Sequence, residues 1–290
     1  MKFAAIDIGS NTVQMMIAET EGQQILSRRS WLQTTRLGSG ADRAKLSPES
    51  IQDTVQAVAA FMPLILAEEV AGCRILATSA VRDAANKQEL QEAVKKAVPQ
   101  APTLEILSGE EEAQTSFLGV RCSISADPSW PVMDLGGSSM ELIYETTDGL
   151  DCISGDIGAV RAHVNGWTKQ EIENIVRNTY RKLNAADTLI GVGGSITTAA
   201  GILAGQQSYD RAAIEGRIIS RAQLHSLYAE LLPLSIPQRC SFSPLLERRG
   251  EIIREGLEIS LALLDFLEIQ KIAICGGGIL DGAIQQMLPC

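Results

Sequence analysis

Two stretches of this chain combine an aspartate with a turn of small residues, a pattern that can bind phosphate. Residues 130–144 read WPVMDLGGSSMELIY, in which Asp134 ends an apolar strand and Glu141 lies near the start of the next strand. Glycine has no Cβ, so the backbone N–H groups of such a turn can come close to an anion. Two carboxylates beside the turn can hold Mg²⁺, which in turn holds phosphate. The stretch therefore predicts a metal-assisted phosphate site.

The first residues of the chain repeat this pattern. Residues 3–17 read FAAIDIGSNTVQMMI, and aligning Asp7 with Asp134 also places Gly9 on Gly136. Such a repeat predicts two similar α/β halves with one phosphate hairpin each, facing one another across a cleft. That arrangement describes two duplicated domains of the actin-like, sugar-kinase and Hsp70 ATPase fold, which is ribonuclease H-like. The alternative is two ordinary hairpins with glycine-rich turns.

Length and composition fit this architecture. A chain of 290 residues suits two domains with sizeable cores, and a hydrophobic content of 45% excludes a disordered chain. No apolar run approaches the roughly 20 residues that span a membrane. Asp7 interrupts the N-terminus too early for a signal peptide. We expect a cytoplasmic protein with no membrane partner.

The ionisable and sulfur-containing residues narrow the chemistry further. Six cysteines are scattered without a C-x-x-C spacing, which favours buried free thiols, with Cys290 exposed at the terminus. Two histidines are too few for a multi-histidine metal site. A net charge of −10 argues against binding a nucleic-acid polymer. A polyanionic substrate would need a local basic strip to offset that charge.

An arginine follows the predicted strand 74–77, within the stretch TSAVRDAAN at 78–86. Hydroxyl groups and an arginine at the C-terminal end of a strand lie where α/β folds bind ligands. Arg82 is therefore a candidate phosphate contact, and a surface salt bridge is the alternative. Its position alone does not decide between the two.

Three glutamates, Glu110, Glu111 and Glu112, open the helix that follows the strand 103–107. Ser108 and Glu111 have the spacing of a capping box, which gives Glu111 a structural role. Glu112 lies about 100° further around the helix and can face a ligand. A carboxylate at a helix N-terminus is favoured in its charged form, as a general base requires. The alternative is that all three simply complement the helix dipole.

The second half of the chain contains further strands that end in small residues. Gly193, Gly194 and Ser195 follow a strand and open a helix, which makes a candidate anion site. Residues 276–278 are three glycines after the strand 272–275. The remaining predictions are a helix that starts at 47–49, carries Ile51, Val55, Val58 and Met62 and is kinked at Pro63, helices at 168–183, 221–231, 247–267 and 279–287, and loops at 155–161, 206–214 and 233–244.

Together these stretches resemble the exopolyphosphatase/guanosine pentaphosphate phosphatase family over essentially the whole chain. The matching motifs are Asp7-Ile-Gly-Ser-Asn11, Thr78-Ser-Ala-x-Arg82-x-Ala-x-Asn86, Leu107-Ser-Gly-Glu-Glu-Glu-Ala113, Asp134-Leu-Gly-Gly-x-Ser-x-Glu141, Gly158-x-Val-Arg161 and Gly191-Val-Gly-Gly194, with the segments 249–256 and 276–282. The resemblance implies an actin-like domain over 1–122, a second over 123–278, and a C-terminal helix at 279–290 that packs back on the first.

The resemblance also implies an activity. This is Mg²⁺-dependent hydrolysis of a terminal phosphoanhydride in linear polyphosphate or guanosine pentaphosphate, with guanosine tetraphosphate as a further ligand. Carried over by position, the catalytic base is Glu112 and the metal ligands are Asp134, Glu141 and Asp7. The phosphate contacts are Asn11, Arg82, Gly136, Gly137, Ser138, Ser139, Gly193, Gly194 and Ser195. A homodimer is compatible with the resemblance.

Two departures from the family pattern leave other functions open. Ser138 and Met140 stand where the family usually has glycine and threonine, which narrows the turn and removes a hydroxyl. The chain also lacks the helical extension of longer members, which favours short polyphosphate or a nucleotide. One alternative is a non-catalytic sensor of guanosine tetra- or pentaphosphate or of polyphosphate. Another is an ATP-dependent kinase, although a glutamate base at a helix start suits attack by water.

Overall fold

The computed structural model describes residues 1–39, 45–127, 129–147, 149–183 and 186–289. Cys290, predicted to be exposed, lies outside the described residues. The chain divides into two compact units. Unit 1 is Met1–Cys122 together with the C-terminal residues from Ile279, and unit 2 is Ser123–Gly278.

Unit 1 is a five-stranded mixed sheet with helices. Its strands are β1 (Lys2–Ile8), β2 (Thr12–Glu21), β3 (Gln24–Thr34), β4 (Gly72–Ala77) and β5 (Leu104–Ile106), in the sheet order β3-β2-β1-β4-β5. Its helices are α1 (Pro48–Ala67), α2 (Ser79–Arg82), α3 (Lys87–Ala97), α4 (Gly109–Arg121) and, from the end of the chain, α11 (Ile279–Gln285). A 3₁₀ turn lies at Leu37–Ser39. The first three strands pair antiparallel, whereas β4 and β5 extend the sheet in parallel.

Unit 2 has a six-stranded mixed sheet. Its strands are β6 (Val132–Leu135), β7 (Met140–Thr146), β8 (Gly149–Gly155), β9 (Thr188–Val192), β10 (Ile218–Ser220) and β11 (Lys271–Ile274), in the sheet order β10-β11-β9-β6-β7-β8. Its helices are α5 (Ala159–Asn165), α6 (Lys169–Thr179), α7 (Gly194–Leu203), α8 (Arg221–Leu231), α9 (Ile236–Phe242) and α10 (Ile253–Leu267). A second 3₁₀ turn lies at Pro244–Leu246.

The two units share a strand order and a hairpin register. In unit 1 Asp7 pairs with Gln14 across β1 and β2, and in unit 2 Asp134 pairs with Glu141 across β6 and β7. The same hydrogen bond closes both hairpin turns. The Gly9 N–H donates to the Thr12 carbonyl and the Gly136 N–H donates to the Ser139 carbonyl, each at 3.0 Å. The predicted duplicated α/β fold is confirmed.

Helix α1 is long and apolar enough to cross a membrane, by length and composition only, with a mean hydropathy of 1.3 over 18 residues. The sequence contains no uninterrupted apolar run of that length, and α1 meets this criterion although Gln52, Asp53 and Gln56 interrupt its apolar residues. Its buried residues include Ile51, Val58, Phe61 and Met62, which pack in the core of unit 1. This is the one-sided burial of an amphipathic core helix.

Several local predictions are confirmed by the helix ends. Ser47 caps α1, accepting a hydrogen bond from the Ser50 N–H at 3.1 Å, and Pro48 is the first helical residue. The capping box of α4 forms as predicted between Ser108 and Glu111. The Ser108 backbone N–H that donates to the Glu111 carboxylate holds the pKa of that carboxyl below its usual value.

Other local predictions are wrong. The predicted loop at 155–161 contains the start of α5, and the predicted loop at 233–244 contains α9. The helix predicted from residue 247 begins only at Ile253. Among the described cysteines only Cys275 is buried and Cys122 is exposed, so the expectation of buried thiols fails for most of them. Local pattern does not predict these features because packing between distant segments decides them.

Candidate active site

The central turn of unit 2 is held from one side by α5. The N–H groups of Ala159 and Arg161 donate to the carbonyls of Gly136 (3.1 Å) and Gly137 (2.9 Å). The Arg161 side chain donates through Nε to the Ser138 carbonyl at 2.7 Å. Three consecutive carbonyls of the turn are therefore engaged by α5.

This bonding fixes the direction of the turn's amides. A trans peptide points its C=O and the following N–H in opposite directions. The N–H groups of Gly137, Ser138 and Ser139 are therefore directed away from α5. Successive amides that point to one side form an anion-binding concavity. Gly158 makes the close approach of α5 feasible, because any side chain there would overlap the peptide between Gly137 and Ser138.

A row of polar side chains crosses the sheet beside this turn. Asp134 on β6 pairs with Glu141 on β7, which pairs with Ser154 on β8. Directly opposed residues place their side chains on one face of the sheet, with Cβ atoms about 5 Å apart. Glu141 is almost completely buried, and its Oε1 accepts a hydrogen bond from the Ser154 hydroxyl at 2.8 Å. Like charges in such positions repel, and a divalent cation would relieve that repulsion.

The carboxylates of Asp134 and Glu141 are the candidate Mg²⁺ ligands of unit 2. Within the described residues, no group of three or more His, Cys, Asp or Glu side chains could enclose a metal ion. Mg²⁺ bound at phosphate sites needs only one or two carboxylates, because waters and phosphate oxygens complete its shell. Asp134 and Glu141 fit an ion shared with a phosphate ligand and do not fit a closed structural site.

The turn at the end of β9 lies next to this row, because β6 and β9 are parallel neighbours with Asp134 opposite Val192. Gly193 has a φ of 102°, and a side chain there would collide with the Leu135 carbonyl oxygen. Only glycine is compatible with both constraints. The predicted phosphate contacts at 193–195 are thus brought to the same edge of the sheet as the turn 136–139.

Arg249 adds a positive charge at this edge. Its guanidinium lies against Gly194, where any Cβ would overlap it, at the N-terminus of α7. Enclosure by protein lowers the pKa of this arginine, and the nearby Tyr209 acts in the opposite direction. Sequence reasoning placed Arg249 on a long helix and missed this contact. Its position in the motif segment 249–256 was the only available signal.

Tyr180 makes a buried hydrogen bond to the hairpin formed by β6 and β7. Its hydroxyl donates to the Met140 carbonyl at 2.6 Å, and both groups are buried. Burial and then the negative charge of Glu141 raise the pKa of Tyr180, so its hydroxyl stays protonated as a donor. This contact, between positions 40 residues apart, has no signature in the local sequence.

The two residues that depart from the family pattern do not disturb the turn. Ser138 has a negative φ and lies at the position that Asn11 takes in the hairpin of unit 1, so this position requires no glycine. The Met140 side chain is fully buried in the core of unit 2, on the opposite face of β7 from Glu141. A hydroxyl at position 140 would not point towards the carboxylate row.

In unit 1 the predicted residues lie at two places. Asp7, nearly buried at the end of β1, and Asn11 belong to the first hairpin turn, where the Asn11 carbonyl accepts from the N–H groups of Thr35 and Arg36. The residue opposite Asp7 is Gln14, so this hairpin carries one carboxylate where the hairpin of unit 2 carries two. Asp7 thus belongs to unit 1, whereas Asp134 and Glu141 belong to unit 2.

The second place in unit 1 is an ion pair between two predicted site residues. Arg82, at the end of α2, donates through Nη1 to the Glu112 carboxylate at 2.6 Å. Position alone left Arg82 undecided between a surface salt bridge and a ligand contact. The structure shows an ion pair that is largely shielded from solvent, with 23% and 13% of the two side chains exposed.

The fold and the turns together define a class of protein. Two units with a shared strand order and matching Asp-x-Gly hairpins are typical of the actin-like α/β proteins, the class that includes sugar kinases and the Hsp70 ATPase.

Comparison with known proteins gives the family. The model of the Ppx/GppA phosphatase family matches residues 16–290. This chain therefore belongs to the Ppx/GppA phosphatase family, and the predicted enzyme class, a hydrolase of phosphoric anhydrides, is confirmed.

Individual relatives agree with this assignment. Exopolyphosphatase 2 of Mycobacterium tuberculosis is 28% identical, with 97% of each chain covered. A guanosine-5'-triphosphate,3'-diphosphate pyrophosphatase of Pseudoalteromonas translucida is 27% identical, and the match covers 99% of this chain but 59% of that protein. The crystal structure of the Aquifex aeolicus Ppx/GppA phosphatase is 25% identical over the full length of both chains, with a TM-score of 0.77. An exopolyphosphatase from Cytophaga hutchinsonii has the same fold, with 21% identity, a TM-score of 0.85 and coverage of 99% and 98%.

Proposed function

We propose that this protein is a Mg²⁺-dependent phosphohydrolase that releases terminal orthophosphate from short polyphosphate or from guanosine pentaphosphate. The observation that supports this proposal most directly is the arrangement in unit 2. There the N–H groups of the 136–139 turn are directed away from α5, beside the Asp134–Glu141 row. Short polyphosphate is the first substrate to test, because the relative that matches over 97% of both chains is named an exopolyphosphatase.

The proposal gives each group of residues one task. The turn amides and the N-terminus of α7 would bind oxygens of the terminal phosphates, with Arg249 supplying positive charge. Asp134 and Glu141 would hold Mg²⁺, which when bound neutralises negative charge on those phosphates. Groups that are already oriented stabilise developing charge without reorganising during the reaction.

Glu112 would activate the nucleophile. Its carboxylate would orient a water molecule in line with the terminal phosphorus and accept its proton as the P–O bond to the leaving phosphate breaks. Glu112 lies in the first turn of α4, where the helix dipole favours the ionised carboxylate that this task requires. The proposal therefore expects variants of Glu112 and of Asp134 to lower the same activity.

The test is phosphate release from short polyphosphate and from guanosine pentaphosphate in the presence of Mg²⁺, compared side by side. We expect Glu112→Gln to lower kcat by about a hundredfold or more, the usual size of a general-base contribution. Glu110→Gln is the matched control, because Glu110 is exposed in the same helical turn and bonds only to Gln114 among the contacts that the structure describes.

Two results would contradict the proposal. No phosphate release from either substrate would exclude it, and so would a Glu112→Gln variant with the activity of the unmodified protein. Tight binding of guanosine tetra- or pentaphosphate by calorimetry, without turnover, would favour the sensor instead. The positions of Ser138 and Met140 give that alternative no structural support.

A further inference from the structure

The ion pair between Arg82 and Glu112 is anchored at both ends. Nη1 of Arg82 donates to the Glu112 carboxylate at 2.6 Å and to the Leu107 carbonyl at 3.1 Å. Leu107 is itself fixed, because its N–H donates to the Ala77 carbonyl at the end of β4 at 2.9 Å. The guanidinium of Arg82 is therefore held by backbone that is hydrogen-bonded to the sheet of unit 1.

Glu112 is held equally firmly at its backbone. Its N–H donates to the Ser108 carbonyl at 2.9 Å, in the helical turn that the Ser108–Glu111 capping box closes. A carboxylate with a fixed backbone and a fixed arginine partner has little rotamer freedom. General-base catalysis requires such placement, because a displacement of about 1 Å can lower the rate a hundredfold.

The charges around Glu112 give Arg82 a second effect. The same helical turn carries Glu110 and Glu111, and Asp83 lies 3.8 Å from Nε of Arg82. Negative neighbours disfavour the ionised form of a carboxyl group, whereas an adjacent arginine favours it. Arg82 donates directly to Glu112, whereas two other cations lie near this turn without such a bond: Lys87 Nζ donates to the Arg82 carbonyl at 3.0 Å, and the charge of Arg74 contributes to lowering the pKa of Glu111.

We propose that Arg82 is a positioning residue for Glu112, which fixes the carboxylate and keeps it ionised. This role is additional to the phosphate contact that the family resemblance implies for Arg82. It rests on the proposed function, in which Glu112 is the base. A positioning role makes a specific claim, namely that loss of Arg82 changes the pH at which the enzyme becomes active and not merely its affinity for substrate.

The test compares the pH dependence of kcat/KM for Arg82→Gln, Arg82→Lys and the unmodified protein, with short polyphosphate and Mg²⁺ from about pH 3 to about pH 8. We expect the acid limb of Arg82→Gln to move to higher pH by about one unit, because the carboxylate loses its positive partner. Arg82→Lys keeps the charge, so its acid limb should stay in place even if kcat falls. Titration of the substrate is common to all variants and cancels in the comparison.

A matched control separates this effect from the general loss of an ion pair. Lys2, at the N-terminal end of β1, forms a pair of similar length with Glu68, at 2.7 Å, also in unit 1. Lys2→Gln should leave both the acid limb and kcat/KM unchanged. Circular dichroism and the Tm of each variant establish that it folds.

The possible failures are distinguishable. If Arg82→Gln lowers kcat/KM by one factor at every pH, Arg82 acts on the substrate or on the fold alone. That result overturns the inference and leaves the proposed function intact. If Arg82→Lys shifts the acid limb as far as Arg82→Gln does, the retained charge has no effect and the inference is again overturned. If Glu112→Gln retains full activity, the base itself is wrong and both proposals fail.

Discussion

Met140 shows how the environment of a single residue decides the meaning of a sequence departure. The family pattern usually has threonine at this position, so methionine suggests a damaged site. The structure instead buries the Met140 side chain completely, among Leu135, Leu142 and other core residues of unit 2. Side chains alternate between the two faces of a strand, so the Met140 side chain lies in the core while Glu141 lies on the opposite face, in the row with Asp134.

We predict that Met140→Thr reduces stability without improving activity. The change removes apolar contacts from a packed core and buries a hydroxyl, which together cost about 2–4 kcal/mol of unfolding free energy. Met140→Leu is the control and should cost less than about 1.5 kcal/mol. Urea unfolding measures both variants. A rise in kcat/KM of the folded Met140→Thr protein would show instead that this position does reach the site.

Ser138 makes the same point from the backbone. The glycine that the family usually has at position 138 suggests that the backbone there needs a positive φ. Ser138 instead has a negative φ, and its counterpart in unit 1 is Asn11. Gly193, in contrast, does have positive φ, at 102°. The sequence shows where glycines occur, and only the fold shows which of them the backbone requires.

At the scale of elements, the short helix α5 organises the turn of unit 2 more than any residue within that turn. It engages the carbonyls of Gly136, Gly137 and Ser138 and so directs three amides to the opposite side. Of these three hydrogen bonds, two come from backbone N–H groups of α5 and one comes from the side chain of Arg161. The element therefore links a residue outside the turn to the orientation of the turn's amides, the groups to which the proposed function assigns phosphate binding.

We predict that Arg161→Ala weakens substrate binding while the fold is retained. Loss of the Nε bond to the Ser138 carbonyl frees one peptide of the turn, and a charge-assisted hydrogen bond is worth about 1.5–3 kcal/mol. We therefore expect KM to rise about tenfold or more, with the far-UV circular dichroism unchanged. Arg177→Ala is the control, because Arg177 is exposed on α6 of the same unit. Equal KM values for the two variants would refute the role assigned to α5.

Helix α10 carries a buried carboxylate with a predictable effect on stability. Glu258 is 8% exposed and accepts a hydrogen bond from the Tyr228 hydroxyl at 2.8 Å. Burial raises the pKa of Glu258, and the bond from Tyr228 and the charge of Arg254 only partly oppose this. A raised pKa in the folded state means that folding is disfavoured at pH values above it, and that this cost disappears as the pH falls towards the unfolded value.

We predict that Glu258→Gln is more stable than the unmodified protein at about pH 8, by an amount on the order of 1 kcal/mol. Glutamine keeps an acceptor for Tyr228 and removes the buried charge. The difference should shrink as the pH is lowered towards about 4, where Glu258 is protonated in the unfolded chain as well as in the folded protein. Thermal unfolding across this pH range measures the effect, with the exposed Glu230→Gln on α8 as the control. A constant difference at all pH values would rule out titration of Glu258 as the cause.

The elements also show how far local pattern extends. Helices with a strong start signal, such as α1 after Ser47 and α4 after Ser108, are confirmed by the structure. The predicted loops at 155–161 and 233–244 contain the first three residues of α5 and the whole of α9, because seven-residue helices are not stable alone and exist only by packing. Residues 247–252 were assigned to a helix but form turns, where Gly250 packs directly on Cys240.

The candidate site divides in the same way. Residue types and motif spacing were sufficient to select Glu112, Asp134 and Glu141 as candidates. The contact between Arg82 and Glu112 joins positions 30 residues apart. The approach of Arg249 to Gly194 joins segments that are further apart still. Neither contact can be predicted from the local sequence, because both depend on the order of strands in the sheet.

At the scale of the whole molecule, the two duplicated hairpins have the same backbone arrangement but carry different side chains. Both hairpins have one register and one closing hydrogen bond, but Gln14 stands where unit 2 has Glu141. An amide cannot replace a carboxylate as a strong ligand for Mg²⁺. The duplicated fold thus provides two hairpin turns of one type, and of these two hairpins only that of unit 2 carries a pair of opposed carboxylates.

This asymmetry predicts that dependence on Mg²⁺ follows unit 2. Glu141→Gln converts the unit 2 row to the composition of unit 1, so we expect the Mg²⁺ concentration for half-maximal activity to rise about tenfold or more. Gln14→Glu is the reciprocal change at the equivalent position and should leave that concentration within about twofold, because the metal would be held elsewhere. Phosphate release at fixed substrate and increasing Mg²⁺ measures both variants. If Gln14→Glu shifted the Mg²⁺ dependence as strongly as Glu141→Gln, the assignment of the metal to unit 2 would be wrong.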